Sequence, residues 1–333
     1  MHPVTSKILH TLVSENGFVS GGRLCRELQM TRSAIWKHVS QLREAGYDVE
    51  AVSGRGYRLA GLTGAPVAEE VQPFLATESF GRQFVHLATT DSTNLHARSL
   101  AREGAPEGTV VVAESQTGGR GRMRRPWVSP SGVNLYVSIV LRPPLPSIRV
   151  PEIPLVAAAA IHAALVEVCP ALRAFIKWPN DILAGGRKLC GILCEMESEP
   201  DCTHFVVVGF GVNVNLDPVP EELQGIATSV AIETGEHGSR ARILAAVLNR
   251  FERLYTEWLA GEDLGFLLPV LERNAWLQGR DVRIEQFNRI LSGTVTGLSP
   301  QGHLLLRDAD GSVIAVNSGE AHLQSINDKT TTE

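Results

Sequence analysis

Cysteine is sparse in this chain of 333 residues: there are five, Cys25, Cys169, Cys190, Cys194 and Cys202. Their number is odd, and no two stand at Cys-x-x-Cys spacing. Cys190 and Cys194 lie four apart in a stretch that reads as a strand, which puts both on one face. A metal site needs more ligands than the nearby sequence offers, so buried free thiols and no protein-held metal are expected. Long apolar runs are missing too. None approaches the length that spans a bilayer, and the opening Met-His-Pro-Val-Thr-Ser-Lys lacks the apolar core of a signal peptide. A cytoplasmic protein without membrane contact is the expectation. No internal repeat is present, and the one low-complexity tract is the polar end of the chain, read as a disordered tail over residues 328–333.

With 44% hydrophobic and 20% charged residues the chain reads as globular, and its length exceeds what one core normally serves. Its charge is uneven. Residues 1–62 carry eight Lys/Arg against five Asp/Glu, a balance of +3, so on a total of −5 the remainder is −8. A small basic domain on an acidic body suits a nucleic-acid-binding module joined to something else.

Ile8, Leu9, Leu12 and Val13 make the apolar stripe of a first helix, ended by Asn16-Gly17. Ser20 can cap a second helix with Leu24, Cys25 and Leu28 inward. After a short turn at Gln29-Met30, Thr31 caps a third with Ile35, Val39 and Leu42 on one face, and Gly46 stops it. This is helix-turn-helix spacing. Thr31, Arg32, Ser33, Trp36 and Lys37 then line the outer face and start of a recognition helix, where early residues reach base edges and cations hold phosphates. Val49–Val52, the turn Ser53-Gly54-Arg55-Gly56 and Tyr57–Leu59 read as a hairpin, the wing of a winged helix, with Arg55 at its tip. A helical domain for protein contacts is the alternative; the positive balance and the wing arginines favour DNA.

Four segments follow from these patterns: a winged helix over 1–62, a linker over 63–77, a body over 78–277 and a small β-domain over 278–327. In the body, strands are expected at 84–87, 109–113, 135–140, 174–178, 189–196 and 204–208. Helices are expected after Asp91, over about 152–168, and twice between Arg240 and Trp276. This is an α+β pattern, a mixed sheet covered by helices. From Asp281 the strands shorten, at 282–286, 293–298, 303–307 and 313–316, as in a small β-barrel.

The residues most suited to chemistry follow the strand ending at Ala113: Ser115-Gln116-Thr-Gly-Gly119-Arg120-Gly121-Arg122-Met-Arg124-Arg125-Pro-Trp127. Glycines let backbone approach a ligand closely, and arginines bind phosphate or carboxylate in two-pronged fashion. The Gly-x-x-x-x-Gly-Lys-Ser/Thr of a P-loop and the context of a dinucleotide fold are both absent. On composition alone the segment could equally be a basic surface loop. Asp91-Ser92-Thr93-Asn94, at a strand-to-helix junction, offers caps for the helix or hydroxyls and an amide for a neutral polar ligand. Lys177-Trp-Pro-Asn180-Asp181 ends a strand in a turn, Arg187-Lys188-Leu-Cys-Gly191-Ile-Leu193 opens a strand, and Gly209-Phe-Gly211-Val-Asn213 closes another.

In order and spacing these segments resemble the bifunctional biotin–protein ligase/biotin operon repressor (BirA) family over essentially the whole chain. The resemblance implies a biotin/lipoate ligase-like catalytic domain and an SH3-like C-terminal barrel. It implies ATP and biotin as substrates, with Mg²⁺ accompanying ATP. Partners implied are a biotin carboxyl carrier domain, operator DNA and a second copy of the chain in a ligand-promoted homodimer. By position, Ser92, Thr93, Asn94, Gln116, Arg120, Gly121, Arg122, Lys188, Gly191 and Leu193 would bind biotin. Gly119, Arg122, Arg125, Trp127, Asn180 and Asn213 would bind the nucleotide, and Lys188 and Arg122 would be catalytic.

Two departures from the family pattern stand out. The loop usually reads Gly-Arg-Gly-Arg-x-Gly-Arg, and here Arg124 replaces the last glycine; in a left-handed backbone that costs roughly 1–2 kcal/mol. Near the C-terminus, Gln324 stands where the family commonly has arginine. Three other readings remain open: a lipoate–protein ligase, a ligase without operator binding, and a biotin-sensing regulator that does not transfer.

Overall fold

A computed structural model describes residues 2–15, 17–199, 202–286 and 289–324. Asn16, read as part of a helix stop, and the tail over 328–333 lie outside the described residues.

The N-terminal stripe folds as its spacing dictates. Helices α1 (Pro3–Glu15), α2 (Gly21–Leu28) and α3 (Arg32–Glu44) pack Ile8, Leu9, Leu12, Leu24, Ile35, Val39 and Leu42 into a core of their own. The Ser20 and Thr31 side chains accept from the amides of Arg23 and Ala34, satisfying donors that a helix start leaves unpaired. Strands β1 (Asp48–Val52) and β2 (Gly56–Gly61) form the wing, and Val19 bridges to Tyr57 as a third, one-residue edge.

The segment read as a linker is ordered. Helix α4 (Ala68–Val71) packs against α1, and also against a body helix described below. Glu70 on it is fully buried and accepts from the amides of Thr63 (3.2 Å) and Gly64 (2.8 Å) and from the Thr63 hydroxyl. Three donors in place of water are what make a buried carboxylate tolerable. Glu69 accepts from the Ser6 hydroxyl, so the segment read as a linker joins the two units.

The body is a seven-stranded mixed sheet. Its strands are β3 (Phe84–Leu87), β4 (Val110–Ala113), β5 (Leu135–Leu141), β6 (Ala174–Lys177), β7 (Asp181–Ala184), β8 (Arg187–Glu199) and β9 (Cys202–Val212). They lie in the order β3-β4-β5-β9-β8-β7-β6, parallel only between β3 and β4. Alternate side chains divide between two faces. Val111, Val140, Phe205 and Val207 pack under α5 (Thr93–Arg102). Val110, Val112, Val137, Ile139 and Val208 face α6 (Ile153–Val168) and α8 (Arg240–Ala260), the body helix that also receives α4.

The expectation that no apolar run is long enough to span a bilayer does not hold. Residues 147–168 are long and apolar enough to cross a membrane, with a mean hydropathy of 1.5, but 72% of that window is buried inside the protein. It is a core helix, apolar all round because it is surrounded. Two short helices, α7 (Val230–Thr234) and α9 (Leu268–Arg273), complete the body.

Five antiparallel strands end the described chain: β10 (Asp281–Gln286), β11 (Arg289–Leu298), β12 (Leu304–Arg307), β13 (Val313–Val316) and β14 (Glu320–Leu323), in the order β13-β12-β11-β10-β14. β7 and β14 lie outside the strands expected from the sequence. Val282, Ile284, Val295, Leu304 and Val316 share one continuous core with α6 and α8, and Trp178 Nε1 donates to Gly302 O at 3.0 Å. The last sheet is therefore docked firmly beside the loop that follows β4.

Candidate functional site

The site starts from register. Tyr136 and Ser138 on β5 pair with Gly211 and Gly209 on β9, which pair in turn with Gly191 and Leu193 on β8. With a two-residue period, all six lie on the α5 face of the sheet. Three of the six are glycines, and other side chains occupy the space. A Cβ at Gly211 would overlap the Trp127 indole, one at Gly191 would come within 2.9 Å of the same ring, and one at Gly209 would overlap the Asn94 amide.

A polar network borders this patch. Gln116 Oε1 accepts from the Thr93 amide at 2.9 Å and the Thr93 hydroxyl at 3.2 Å, and Gln116 Nε2 donates to Ser129. Ser138 donates toward Thr93 Oγ1 (2.8 Å) and Asn94 Oδ1 (2.6 Å), and Asn94 Nδ2 donates to Glu195 at 2.8 Å. Ser92 opens α5, yet its side chain makes no capping bond; Asp91 takes the Ser92 amide instead. The Ser92 hydroxyl has no hydrogen-bond partner among the described residues, although the residue as a whole is 6% exposed.

The loop after β4 closes on itself. Trp127 N donates to Gly119 O at 2.9 Å and Gly121 N to Arg125 O at 2.8 Å, and Arg120 bridges to Pro126. Gly119 has no room for a side chain: a Cβ would meet Trp127 O at 2.7 Å. At the tip Met123 and Arg124 both take left-handed backbone, with φ 55° and 59°. The position where the family pattern has glycine is thus one where glycine is the unstrained choice.

Three of the cations around the patch have a named holder. Lys188 Nζ lies 2.8 Å from Asp181 Oδ1, an ion pair without the alignment of a hydrogen bond, and 5.6 Å from the Trp127 ring centroid. Arg122 Nη1 donates to Asn180 Oδ1 (3.1 Å) and Nη2 to Gly319 O (3.4 Å), while Asn180 Nδ2 donates to Ile192 O. Arg125 grips Glu320 with both terminal nitrogens, at 2.5 and 2.7 Å. That pair holds the Glu320 carboxyl below its ordinary range, chiefly through the Arg125 hydrogen bond. Behind the loop, burial raises the Glu114 carboxyl, but bonds from His86 and Arg240 outweigh it and the net direction is down.

The sequence-derived residues divide accordingly. Ser92, Thr93, Asn94, Gln116, Trp127, Lys188, Gly191 and Leu193 gather at one sheet face, with Arg122 and Asn180 alongside. Arg120 is exposed on the loop. Asn213 is turned inward, donating to Thr228 O at 3.0 Å and accepting from Asn134. Ser138, Gly209, Gly211, Asp181, Glu195 and Glu320 were not singled out. The Gly-x-Gly spacing of 209 and 211 was the available signal for two of them, since it places both on one strand face.

In the winged helix, Arg32, Ser33, Trp36 and Lys37 are exposed along the first turns of α3, while Thr31 is spent as its cap. Arg55 sits in the wing turn with its guanidinium 4.1 Å from the Phe18 ring centroid.

Three family models match the chain: the HTH domain over residues 4–58, the Biotin/lipoate A/B protein ligase family over residues 87–213, and the Biotin protein ligase C terminal domain over residues 278–323. The bifunctional ligase/repressor BirA of Bacillus subtilis (strain 168) is 38% identical over 315 residues, covering 93% of this chain and 96% of that protein. Its namesake in Escherichia coli (strain K12) is 32% identical over 324 residues, 95% of this chain and 96% of that protein. Among solved structures, the biotin protein ligase from Aquifex aeolicus in complex with biotin and ATP superposes with a TM-score of 0.64 at 29% identity, over 73% of this chain and 99% of that one.

Proposed function

The chain belongs to the bifunctional biotin–protein ligase/repressor family, and on that footing we propose that it joins biotin to ATP as biotinyl-5′-AMP, passes the biotinyl group to a lysine of a biotin carboxyl carrier domain, and represses transcription of biotin-synthesis genes through its winged helix. One observation carries the chemistry: Lys188 and Arg122, each steadied by a neighbouring side chain, flank a glycine-floored patch bordered by hydroxyls and amides.

The roles follow from what each group can do. The Ser92 hydroxyl, with Thr93, Asn94 and Gln116, suits the ureido ring of biotin, and Gly191 and Leu193 suit its apolar body. Arg120, Gly121 and Arg122 wrap the carboxylate and α-phosphate. The biotin carboxylate attacks the α-phosphorus, a carboxylate–phosphorus bond forms, and pyrophosphate leaves. Both reactants are anionic. Lys188 and Arg122 offset their repulsion and the charge that grows on the phosphoryl oxygens. Mg²⁺ carried by the ATP phosphates would supply further charge neutralisation there, beside Lys188 and Arg122. Gly119, Arg125, Trp127 and Asn180 belong to the nucleotide side. Asn213, committed inward, supports it by holding the Thr228 segment beside Lys188. The acceptor lysine then attacks the mixed anhydride and AMP leaves.

Ligand-driven ordering of the loop, dimerisation and tighter operator binding are proposed to be linked in a cytoplasmic protein, with Arg32, Ser33, Trp36, Lys37 and Arg55 toward DNA and Thr31 fixing the helix start. Biotin plus ATP that changed neither the sedimentation behaviour nor the DNA affinity would contradict this linkage. The enzymatic reading is tested by ATP–pyrophosphate exchange. Exchange should require biotin, fail with lipoate, and fall roughly 100-fold or more in Lys188→Gln. Equal exchange with lipoate would point to the other branch of the fold.

A further inference from the structure

Arg240 is the first residue of α8, at the end of the sheet that carries the site. Strand β4 runs antiparallel to β5, β5 to β9 and β9 to β8. The end of β4, the start of β5, the end of β9 and the start of β8 therefore lie together. Gln116 follows the first of these ends, and Lys188 stands at the last.

One guanidinium nitrogen serves two of the four. Arg240 Nη1 donates to Glu114 Oε2 at 2.7 Å and to Asn134 O at 3.3 Å. Glu114 stands between β4 and Ser115-Gln116, and its other carboxylate oxygen lies 3.2 Å from His86 Nε2. Asn134 immediately precedes β5 and is fully buried. Its side chain spans to the end of β9, donating to Asn213 Oδ1 at 3.3 Å and accepting from the Val214 amide at 3.0 Å. Asn213 N then donates to Leu189 O at 2.9 Å, next to Lys188. Thr228 completes the link, since its carbonyl accepts from Asn213 Nδ2 and its amide donates to Lys188 O, each at 3.0 Å. Gln116 and Lys188 are thus connected through Arg240 by hydrogen bonds that cross every strand end between them.

As a source of stability this arrangement is poor. The Arg240 and Glu114 side chains are 9% and 18% exposed, so both charges give up most of their water. A cation in the first turn of a helix also opposes the helix dipole. An apolar pair of similar volume would pack as well. It could not, however, bind a carboxylate at one strand end and a carbonyl at the next in fixed geometry. The base of this grip is itself held. Ser239 caps α8 by accepting from the Arg242 amide, and Ala241 N donates to Gly64 O at 3.0 Å.

We propose that Arg240 is a positioning residue for adenylate formation, keeping Gln116 on the biotin side and Lys188 on the phosphate side in register through Glu114 and Asn134. The inference rests on the ligase reading and adds to it a residue that acts only through other side chains. Groups that must meet a reacting carboxylate and phosphorus lose much of their effect when displaced by about 1 Å.

Steady-state ATP–pyrophosphate exchange by the full chain tests this, with the melting temperature measured alongside. Arg240→Gln should lower kcat roughly 10- to 100-fold while the KM for ATP changes less than about 3-fold. Arg240→Lys keeps the charge and should recover part of the loss. If Arg240→Gln does not fold, Arg240→Lys and Glu114→Gln take its place, each expected to lower kcat several-fold. Because the effect passes through Lys188 and Gln116, adding Arg240→Gln to Lys188→Gln or to Gln116→Ala should cost a smaller factor than it costs the wild type. A lower melting temperature with wild-type kcat in the folded protein overturns the proposal, and so does an equal loss in all three backgrounds. A wild-type protein without biotin-dependent exchange overturns the ligase reading instead.

Discussion

Arg125 and Glu320 are 195 residues apart in sequence and joined by two hydrogen bonds, from Nη1 to Oε1 and from Nη2 to Oε2. The pair ties the glycine-rich loop to β14, and Arg122 reinforces it through the Gly319 carbonyl. The C-terminal sheet thus acts as a latch on the loop. Because Arg125 is 64% exposed, the pair contributes at most about 1 kcal/mol to stability, so its effect belongs in loop dynamics. Glu320→Gln should leave the melting temperature nearly unchanged and make proteolysis within residues 119–127 several-fold faster. The sign with pH is fixed by the lowered carboxyl. A carboxylate depressed in the folded state stabilises above its unfolded pKa and loses that contribution as pH falls through the folded one. Loop protection should therefore be flat between about pH 6 and pH 8 and disappear only in acid, below the ordinary carboxylate range.

The glycine floor makes a sharper prediction. Gly211→Ala puts a methyl group into the Trp127 indole, while the strand conformation itself accepts alanine. Adenylate formation should fall by an order of magnitude or more, with a loss of stability of about 1–3 kcal/mol from overpacking. Intrinsic Trp127 fluorescence, in a background with the other four tryptophans replaced by phenylalanine, should report a more solvated ring. Wild-type exchange activity in Gly211→Ala would mean that Trp127 does not pack on the floor during catalysis.

At the loop tip, Arg124 sits at φ 59°. Arg124→Gly should relieve roughly 1 kcal/mol of backbone strain in the closed loop. Greater freedom of the open loop offsets part of that gain. The expected result is slower release of biotinyl-5′-AMP, by a few-fold, read by chase with unlabelled ligand. An unchanged release rate would show that the strain is not felt in the closed state.

Glu70 predicts where the two units come apart. Glu70→Ala leaves the Thr63 and Gly64 amides without their acceptor in a buried place. A cost of about 1–3 kcal/mol is expected, together with faster cleavage of the chain between residues 60 and 67. Cleavage first within the central sheet would contradict this order of opening.

These relationships also mark where the sequence was legible. Ser20 and Thr31 announced their helices because a cap is a local device: a hydroxyl three residues from the amide it serves. The long strands of the body followed from continuous apolar runs. By contrast, Asp181 read as the end of a turn because Pro-Asn-Asp favours turns, although it starts β7 and faces Lys188. Strand β14, Glu320-Ala-His-Leu323, is too polar and short to stand out, and it is a strand because β10 pairs with it. Glu69 and Glu70 fall in a segment that read only as a linker, because the donors that hold them, on Ser6, Thr63 and Gly64, are not visible in local pattern. In the same way, Ser138 acquires a role only once register brings it beside Thr93 and Asn94.

The central claim is that this chain makes biotinyl-5′-AMP and hands its biotinyl group to a protein lysine. It is tested most directly by the intact mass of a biotin carboxyl carrier domain incubated with the protein, biotin, ATP and Mg²⁺. The account predicts a gain of one biotinyl group on the acceptor, lost when its target lysine is replaced and strongly reduced with Lys188→Gln. An acceptor of unchanged mass, in a reaction where biotinyl-5′-AMP does accumulate, would contradict it and leave a regulator that senses biotin without transferring it.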